Sequence, residues 1–266
     1  MSPSLKRSLR RVLTAYNVLF APVASLVAIV SGAWWWAFPI ILIGHTVWMT
    51  STLWPQCNWF GEVWTQQVHA GRAAPNSLWL TIDDGPHPED TPVLLDILER
   101  HGAQATFFFI GRNVAKYPDL VREVVRRGHT VGNHTMNHDQ YWFWAYGPRG
   151  AQREVADCQA ALTEAGVEAR YFRAPAGLKS PFLQSAVERA GLPLVCWSAR
   201  GLDGISTDRA RIMARLKESV RPGGIVLVHE GRADENGDRL APDVLAALLE
   251  WLDETGIRCV LPDPAV

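Results

Sequence analysis

The sequence predicts an α/β protein with a parallel sheet, preceded by two apolar helices that span a membrane. Three observations lead to this prediction. Residues 12–61 contain no Asp, Glu, Lys or Arg. From about residue 76 onward, short apolar runs alternate with segments of helical periodicity. Acidic side chains, histidines and an arginine follow several of these apolar runs. Catalytic residues of parallel α/β proteins lie at these C-terminal ends of the strands.

The uncharged N-terminal stretch is long enough for two membrane crossings. It covers 50 residues, from 12 to 61, and one crossing needs about 20 apolar residues. It divides at Ser31-Gly32 into predicted spans 12–30 and 33–53, with Trp34, Trp35 and Trp36 at the interface. Four basic residues precede the first span, so the positive-inside rule places the N-terminus in the cytoplasm. We therefore expect an inner-membrane anchor at 1–54, a surface linker at 55–75 and a cytoplasmic catalytic domain at 76–266.

Two alternatives to the hairpin remain open at this stage. A cleaved signal peptide suits the basic tail, although its apolar region is normally far shorter than this one. A single crossing with the second segment lying in the interface is also compatible with the sequence. That arrangement would place the catalytic domain on the periplasmic or extracellular side.

The predicted strands are short apolar runs that end at turn residues. The first, 78–82, stops at Asp-Asp-Gly-Pro, and the second, 105–110, is rich in phenylalanine. Further runs of this kind begin at 130 and at 171, and the last three occupy 194–197, 225–228 and 258–261. Each is separated from the next by a helical segment, which favours parallel strands joined by crossover helices.

The predicted helices have apolar residues three and four positions apart. The first, 91–100, places Val93, Leu94, Ile97 and Leu98 on one face. The second, 120–127, is followed by Gly128, a residue typical of helix C-termini. The remaining helices are expected at 152–165, 181–190, 208–220 and 243–255.

Composition excludes several classes of protein. The chain has 26 basic and 27 acidic residues, so nothing in its charge indicates a nucleic-acid partner. Its four cysteines have no paired spacing, and we expect them to be buried apolar side chains rather than a disulfide framework or a zinc cluster.

Five predicted strand ends carry residues suited to hydrolysis. They are Asp83 and Asp84, then His134 and His138, then Arg173, then Asp203, and finally His229. Two histidines four residues apart with one carboxylate make a three-ligand zinc site that leaves a position open for water. A second carboxylate can act as a base and a lone histidine as an acid. Each feature alone is ordinary, and their common position at one end of the sheet is what indicates a catalytic site.

At this point the sequence resembles a known family. Four motifs occur in order: Thr81-Ile82-Asp83-Asp84-Gly85-Pro86, His134-Thr135-Met136-Asn137-His138, Arg173-Ala174-Pro175-Ala176-Gly177 and Leu227-Val228-His229. They are similar to the motifs of the NodB-homology polysaccharide deacetylases, carbohydrate esterase family four, over about residues 76–264. The resemblance implies a distorted (β/α) barrel of about seven parallel strands and one divalent metal ion, with zinc expected.

The resemblance also implies a role for each matching residue. Asp84, His134 and His138 would hold the metal, and Asp83 would be the general base. Arg173 would keep Asp83 ionised and oriented, with Asp203 supporting this charge network, and His229 would protonate the leaving amine. Pro175, the backbone N–H of Ala176 and the side chain of Leu227 would contact the substrate.

One motif departs from the family pattern. Where the family usually has an aspartate and a tryptophan, this chain has Arg200 and Gly204, although Asp203 keeps its place. The family's tryptophan forms a wall of the acyl pocket, so the choice between acetyl and formyl stays open. Trp142 and Trp144 follow the histidine motif, and we expect them either to pack a long loop or to form a rim that contacts sugar or membrane.

The resemblance therefore implies a hydrolase that removes an N-acyl group from an amino sugar, with O-acyl esters still open. The chain also resembles deformylases of this family that act on undecaprenyl-linked sugars. Together with the hairpin topology, this resemblance implies an undecaprenyl-type lipid-linked sugar at the cytoplasmic membrane face. The alternative is a periplasmic or extracellular deacetylase of peptidoglycan or another polysaccharide. A non-catalytic membrane sugar-binding protein would be expected to have lost site residues, whereas here they are all present. The oligomeric state stays open.

Overall fold

The computed structural model describes residues 21–59, 61–67, 75–180 and 182–262, together with Val12 and Ala15. The basic tail, most of the first half of the predicted span 12–30 and residues 68–74 of the predicted linker lie outside the described residues. Two apolar helices begin the described chain, α1 at Ala21–Val30 and α2 at Ala37–Leu53, with a 3₁₀ turn at Trp34–Trp36 between them. The two helices pack against each other.

One of these N-terminal segments is long enough to cross a membrane. The helical stretch Trp34–Leu53 has 20 residues, and 22% of its most apolar part is buried inside the protein. The three tryptophans and Phe38 are between 57% and 71% exposed, so the apolar surface faces outward. Helix α1 is apolar but has only 10 residues. A signal sequence near the N-terminus also satisfies this criterion of length and composition. The predicted second crossing stays a prediction.

From residue 77 onward, the described chain forms a seven-stranded sheet in which every strand pairing is parallel. The strands are β1 (Ser77–Asp83), β2 (Ala105–Phe109), β3 (Thr130–Asn133), β4 (Tyr171–Phe172), β5 (Ala199–Arg200), β6 (Ile225–His229) and β7 (Arg258–Cys259). Their order in the sheet is β4-β3-β2-β1-β6-β5, and β7 pairs with the start of β1. The predicted α/β class with a parallel sheet is therefore confirmed.

Helices connect the strands and cover the sheet. They are α3 (Asp90–Arg100), α4 (Gly111–Lys116), α5 (Pro118–Arg126), α6 (Pro148–Glu164), α7 (Leu183–Arg189), α8 (Arg209–Ser219) and α9 (Leu240–Thr255). Asp208 caps α8 by accepting a hydrogen bond from the Arg211 N–H, as short polar residues do at helix N-termini. Helix α4 was not predicted, because its six residues are too few to show a periodic pattern.

The predicted strand 194–197 is wrong in its position. Leu194 only bridges to Phe172, and the continuous pairing with β6 begins two residues after Trp197, at Ala199. Within this segment the chain first contacts β4 and then pairs with β6. The predicted strand 194–197 is therefore the part of the chain that passes from one of these strands to the other. Segment 194–200 thereby connects the two ends of the strand order.

The described part of the predicted linker contacts the segment 194–196. The Trp64 N–H donates to the Leu194 carbonyl at 2.8 Å, and the Trp64 carbonyl accepts from the Cys196 N–H at 2.8 Å. Its ring centroid lies 6.2 Å from that of Tyr171. The described part of the linker is thus packed into the catalytic domain, while Trp59 is 39% exposed.

Candidate metal and catalytic site

The first acidic pair lies where β1 ends. Asp83 is the last residue of the strand and is 2% exposed. Asp84 turns the backbone with a φ of 78°, and the Asn113 side chain donates to its carbonyl oxygen at 3.1 Å. Both carboxylates reach the same imidazole, because Asp83 Oδ2 and Asp84 Oδ1 lie 3.7 Å and 3.4 Å from His134 Nε2. The turn therefore aims two consecutive side chains at one point.

The two histidines lie on the loop after β3. Thr135 and His138 both have positive φ, 67° and 54°, which side-chain-bearing residues rarely adopt. Hydrogen bonds hold this backbone: the Thr135 N–H donates to Asn133 Oδ1 at 3.0 Å, and the His138 N–H donates to Thr135 Oγ1 at 3.1 Å. The imidazole centroids of His134 and His138 are 4.7 Å apart as a result.

The chemistry of the three side chains suits a metal ion. One potential ligand atom from each of Asp84, His134 and His138 lies within 4.8 Å of the others. Asp84 Oδ1 is buried without a hydrogen-bond donor among the described residues, although His138 Nε2 is only 3.1 Å away. Such an unsatisfied buried oxygen next to two imidazole nitrogens is expected where a cation would complete the group.

The protonation states agree with a metal-binding role. His134 Nδ1 lies 2.8 Å from the Arg173 carbonyl, which can only accept, so Nδ1 carries the proton and Nε2 has a free lone pair. Burial and the neighbouring His134 lower the pKa of His138 to about 4, which keeps its imidazole neutral at pH 7. Burial alone would raise the pKa of Asp84, but the neighbouring imidazoles of His134, His138 and His229 lower it overall.

Arg173 joins the acidic pair to the core of the sheet. Its guanidinium is fully buried and donates to Asp83 Oδ1 at 2.7 Å and to the Thr81 hydroxyl at 2.8 Å. It also donates to the carbonyls of Val195 and Cys196 at 3.2 Å and 3.1 Å. A buried guanidinium this close to Asp83 Oδ1 pairs with the carboxylate and fixes its orientation.

His229 and Asp203 form a second pair on the other side of the strand ends. Asp203 Oδ1 lies 3.0 Å from His229 Nδ1, and Asp203 Oδ2 accepts from the His229 backbone N–H at 2.6 Å. Burial disfavours the imidazolium, but the charge and hydrogen bond of Asp203 outweigh it and raise the pKa of His229 to about 9. Asp203 therefore contacts His229 directly, and no hydrogen bond joins it to Arg173 among the described residues.

The predicted substrate-contacting residues lie in different environments. Ala176 is exposed at the turn Pro175–Gly177 and has a φ of 52°, whereas Pro175 is buried. Leu227 is 2% exposed and belongs to the hydrophobic core. Trp142 is 64% exposed, while Trp144 is half-buried and lines a cavity against α1 and α2. The loop thus presents one tryptophan outward and packs the other against the N-terminal helices.

Four supporting residues were not singled out from the sequence. Asn133 is fully buried and donates to the Val155 carbonyl at 2.9 Å while it accepts from Thr135. Glu154 holds Asn137 through two hydrogen bonds of 2.9 Å and 2.7 Å. Thr81 accepts a hydrogen bond from Arg173, the partner of Asp83, and Asn113 donates to the Asp84 carbonyl. Only the fold brings Glu154 and Asn113 near the site, so a single sequence carries no signal for them.

The departure at Arg200 and Gly204 has a clear structural result. The Arg200 guanidinium lies 5.3 Å from the Trp197 ring centroid, so it stacks beside the site instead of entering it. A Cβ placed on Gly204 would lie 3.2 Å from His229 Cε1. The face of the His229 imidazole is therefore bordered by a residue without a side chain.

Comparisons with known proteins agree with this geometry. The sequence profile of the polysaccharide deacetylase family matches residues 70–195. A chitooligosaccharide deacetylase from Sinorhizobium fredii is 41% identical over 164 residues, which cover 61% of this chain and 75% of that protein. A peptidoglycan-N-acetylglucosamine deacetylase from Bacillus cereus is 33% identical over 183 residues, covering 68% of this chain and 84% of that protein.

A solved structure shows the same fold. A family 4 carbohydrate esterase from Streptomyces lividans, in complex with acetate, superposes with a TM-score of 0.62 at 27% identity. The superposition covers 72% of this chain and 95% of that one. The chain therefore belongs to the NodB-homology polysaccharide deacetylases, carbohydrate esterase family four, and it is a hydrolase of the amide bond in N-acetylated sugars.

Proposed function

We propose that this protein removes the N-acyl group from an amino sugar of a lipid-linked glycan at the cytoplasmic face of the inner membrane. The observation that carries the hydrolytic part is the convergence of Asp84, His134 and His138 within 4.8 Å, flanked by the Asp83–Arg173 and Asp203–His229 pairs. The chitooligosaccharide and peptidoglycan deacetylases that resemble the chain support an N-acetyl group as the group removed.

The family's metal requirement is satisfied by the side chains present. Asp84, His134 and His138 would hold one divalent ion, with zinc expected for a site of two imidazoles and one carboxylate. Such an ion acidifies water and polarises the amide carbonyl. Asp83 takes the proton from the attacking water, and Arg173 holds this carboxylate in position through the hydrogen bond to Oδ1.

The later proton transfer uses the other side of the site. The backbone N–H of Ala176 donates to the oxygen on which negative charge develops. His229, with a pKa raised to about 9, is protonated at neutral pH and donates its Nε2 proton to the leaving amine. Asp203 accepts from Nδ1, which leaves Nε2 as the nitrogen available to the substrate.

Two features support a membrane-bound substrate. Helix α2 and the turn before it form a segment long and apolar enough to cross a membrane. An apolar cavity of about 430 Å³ lies between α1, α2 and Trp144. Trp144 belongs to the loop that follows His138. A hydrocarbon chain in this cavity would be attached to a sugar that lies near the metal ligands.

Metal removal and substrate comparison test the chemistry. Dialysis against a chelator should abolish release of free amine from an N-acetylated sugar, and one equivalent of Zn²⁺ per chain should restore it. A lipid-linked N-acyl amino sugar in detergent micelles should be turned over at least ten times faster than the same sugar without its lipid. Equal rates would rule out the lipid as a recognised part of the substrate.

The second candidate is a deacetylase of peptidoglycan or another polymer outside the cytoplasm, favoured by the Bacillus cereus relative. A reporter fused after Val266 distinguishes the two. A cytoplasmic signal agrees with two crossings and a lipid-linked precursor. A periplasmic signal would contradict the hairpin topology and support the cell-wall polymer.

A further inference from the structure

A second buried cation lies six residues after Arg173. Lys179 is 8% exposed, and its ammonium donates to three backbone carbonyls, those of Trp54 at 3.1 Å, Pro55 at 2.9 Å and Cys57 at 2.6 Å. The Lys179 N–H lies 3.3 Å from the Thr52 carbonyl. All four acceptors belong to the last residues of α2 or to the segment that follows it. Lys179 thus joins the catalytic domain to the end of the apolar helix.

The segment that follows α2 also contacts the Pro175–Gly177 turn directly. Pro55 lies so close to Gly177 that a Cβ on this glycine would come within 2.9 Å of it. The Gln56 side chain donates to the Trp197 carbonyl at 3.0 Å. The ring of Trp197 would itself lie 2.6 Å from that Cβ. Gly177 is therefore enclosed between Pro55, in the segment that leaves α2, and the ring of Trp197.

The Pro175–Gly177 turn, which lies between Arg173 and Lys179, has an unfavourable backbone conformation. Ala176 and Gly177 are consecutive residues with φ values of 52° and 70°. An alanine in this region is strained and keeps its conformation only where the surroundings impose it. Arg173 fixes one end of the turn to Asp83 and the sheet, and Lys179 fixes the other end to residues 54–57.

The buried position of the Lys179 ammonium depends on the carbonyls of residues 54–57. A buried ammonium is costly unless its protons are hydrogen-bonded, and here three carbonyls satisfy them. Carbonyls at the C-terminal end of a helix carry partial negative charge, which favours a lysine at that place. If residues 54–57 move away, Lys179 loses all three acceptors, and the buried position of the ammonium becomes unfavourable.

We propose that Lys179 is a positioning residue that fixes the Pro175–Gly177 turn, and with it the Ala176 N–H, to the chain segment leaving α2. The inference rests on the proposed function for the role of the Ala176 N–H. Its consequence is that the apolar helix is more than a tether: the segment after it is part of the support of the active site.

The test compares Lys179→Met with Lys217→Met in the full-length protein. Lys217 is exposed on α8, so its replacement controls for the loss of a lysine. Because the loss of a whole oxyanion donor costs about 10²–10³-fold, a displaced donor should lower kcat of K179M about 10- to 30-fold. KM and the metal content should stay within about twofold, since Lys179 contacts neither the proposed metal ligands Asp84, His134 and His138 nor their hydrogen-bond partners.

Hydrogen exchange gives a readout that does not need turnover. Amides of residues 174–180 and of residues 52–58 should both exchange faster in K179M, whereas K217M should match the wild type. A folded K179M with wild-type kcat and wild-type exchange in these two segments would overturn the proposal.

A milder variant covers the case in which K179M does not fold. Lys179→Gln removes the charge but keeps a side chain that can still donate hydrogen bonds to the carbonyls of residues 54–57. It should lower kcat about two- to fivefold and speed exchange at 174–180 and 52–58, in the range expected for one lost hydrogen bond. Unchanged kcat and exchange in a folded K179Q would then reject the inference. Wild-type protein without turnover on any N-acyl amino sugar would reject the proposed function instead, and the exchange comparison would still test the contact.

Discussion

The two sides of the site are built in different ways. On one side, Asp83 is 2% exposed, Arg173 is fully buried, and four hydrogen bonds join this arginine to the sheet and the neighbouring segment. On the other side, His229 is held by Asp203 and is bordered by Gly204, which has no side chain. The side of the proposed base, Asp83, is thus held by many groups, whereas the orientation of the proposed acid, His229, depends on one carboxylate.

This difference indicates where variation can be tolerated. A change in one contact of the base side leaves several others in place, but the base itself has no substitute. On the acid side, the orientation and the pKa of His229 both come from Asp203. The departures at Arg200 and Gly204 lie on this side of the site.

The largest expected effect comes from removing the base. Asp83→Asn should lower kcat by about 10³-fold, because an amide cannot take the proton from water. Metal content should stay at one per chain, since Asp84, His134 and His138 supply the ligands. Asp119→Asn, at an exposed ion pair on α5, is the matched control and should behave as the wild type. Substantial turnover by D83N would contradict the assignment of the base.

The next effect tests the acid. Asp203→Asn should lower kcat about 10²-fold, within the range for an impaired general acid. His229 works in its protonated form and its folded pKa is raised to about 9, so wild-type activity should fall as the pH rises through that value. Loss of the Asp203 charge lowers this pKa, and the alkaline limb of the pH–kcat profile of D203N should lie at least one unit lower. An unshifted limb would show that another group sets it.

The smallest effect tests the open space beside His229. Gly204→Ala adds a methyl group 3.2 Å from His229 Cε1, tighter than an ordinary contact. The overlap is small, and a shift of the imidazole by a few tenths of an ångström would relieve it. We therefore expect kcat to fall only about threefold. Thermal unfolding should be unchanged. A loss as large as that of D203N would show that the acid side is as tightly packed as the base side.

Much of the site was predictable from local sequence. Strand ends are marked by turn residues such as Gly85 and Pro86, and parallel strands bring their ends together whatever the details of packing. The alternation of strands and helices, the histidines four residues apart and the acidic pair therefore indicated both the fold class and the site. The change of partner within 194–200 was not predictable, because an apolar run looks alike whether it pairs with one neighbour or two.

The sequence by itself determined the α/β class, the uncharged N-terminal stretch and the residues that meet at the strand ends. It could do so because hydrophobic periodicity and turn chemistry are local properties of the chain. Tertiary structure alone decided that Asn133 and Glu154 support the histidine loop, that Asp203 pairs with His229, and that Lys179 binds the carbonyls after α2. These contacts join residues from 17 to 26 positions apart and, for Lys179, 122 or more. Which buried polar group meets which acceptor over such separations depends on how the layers pack.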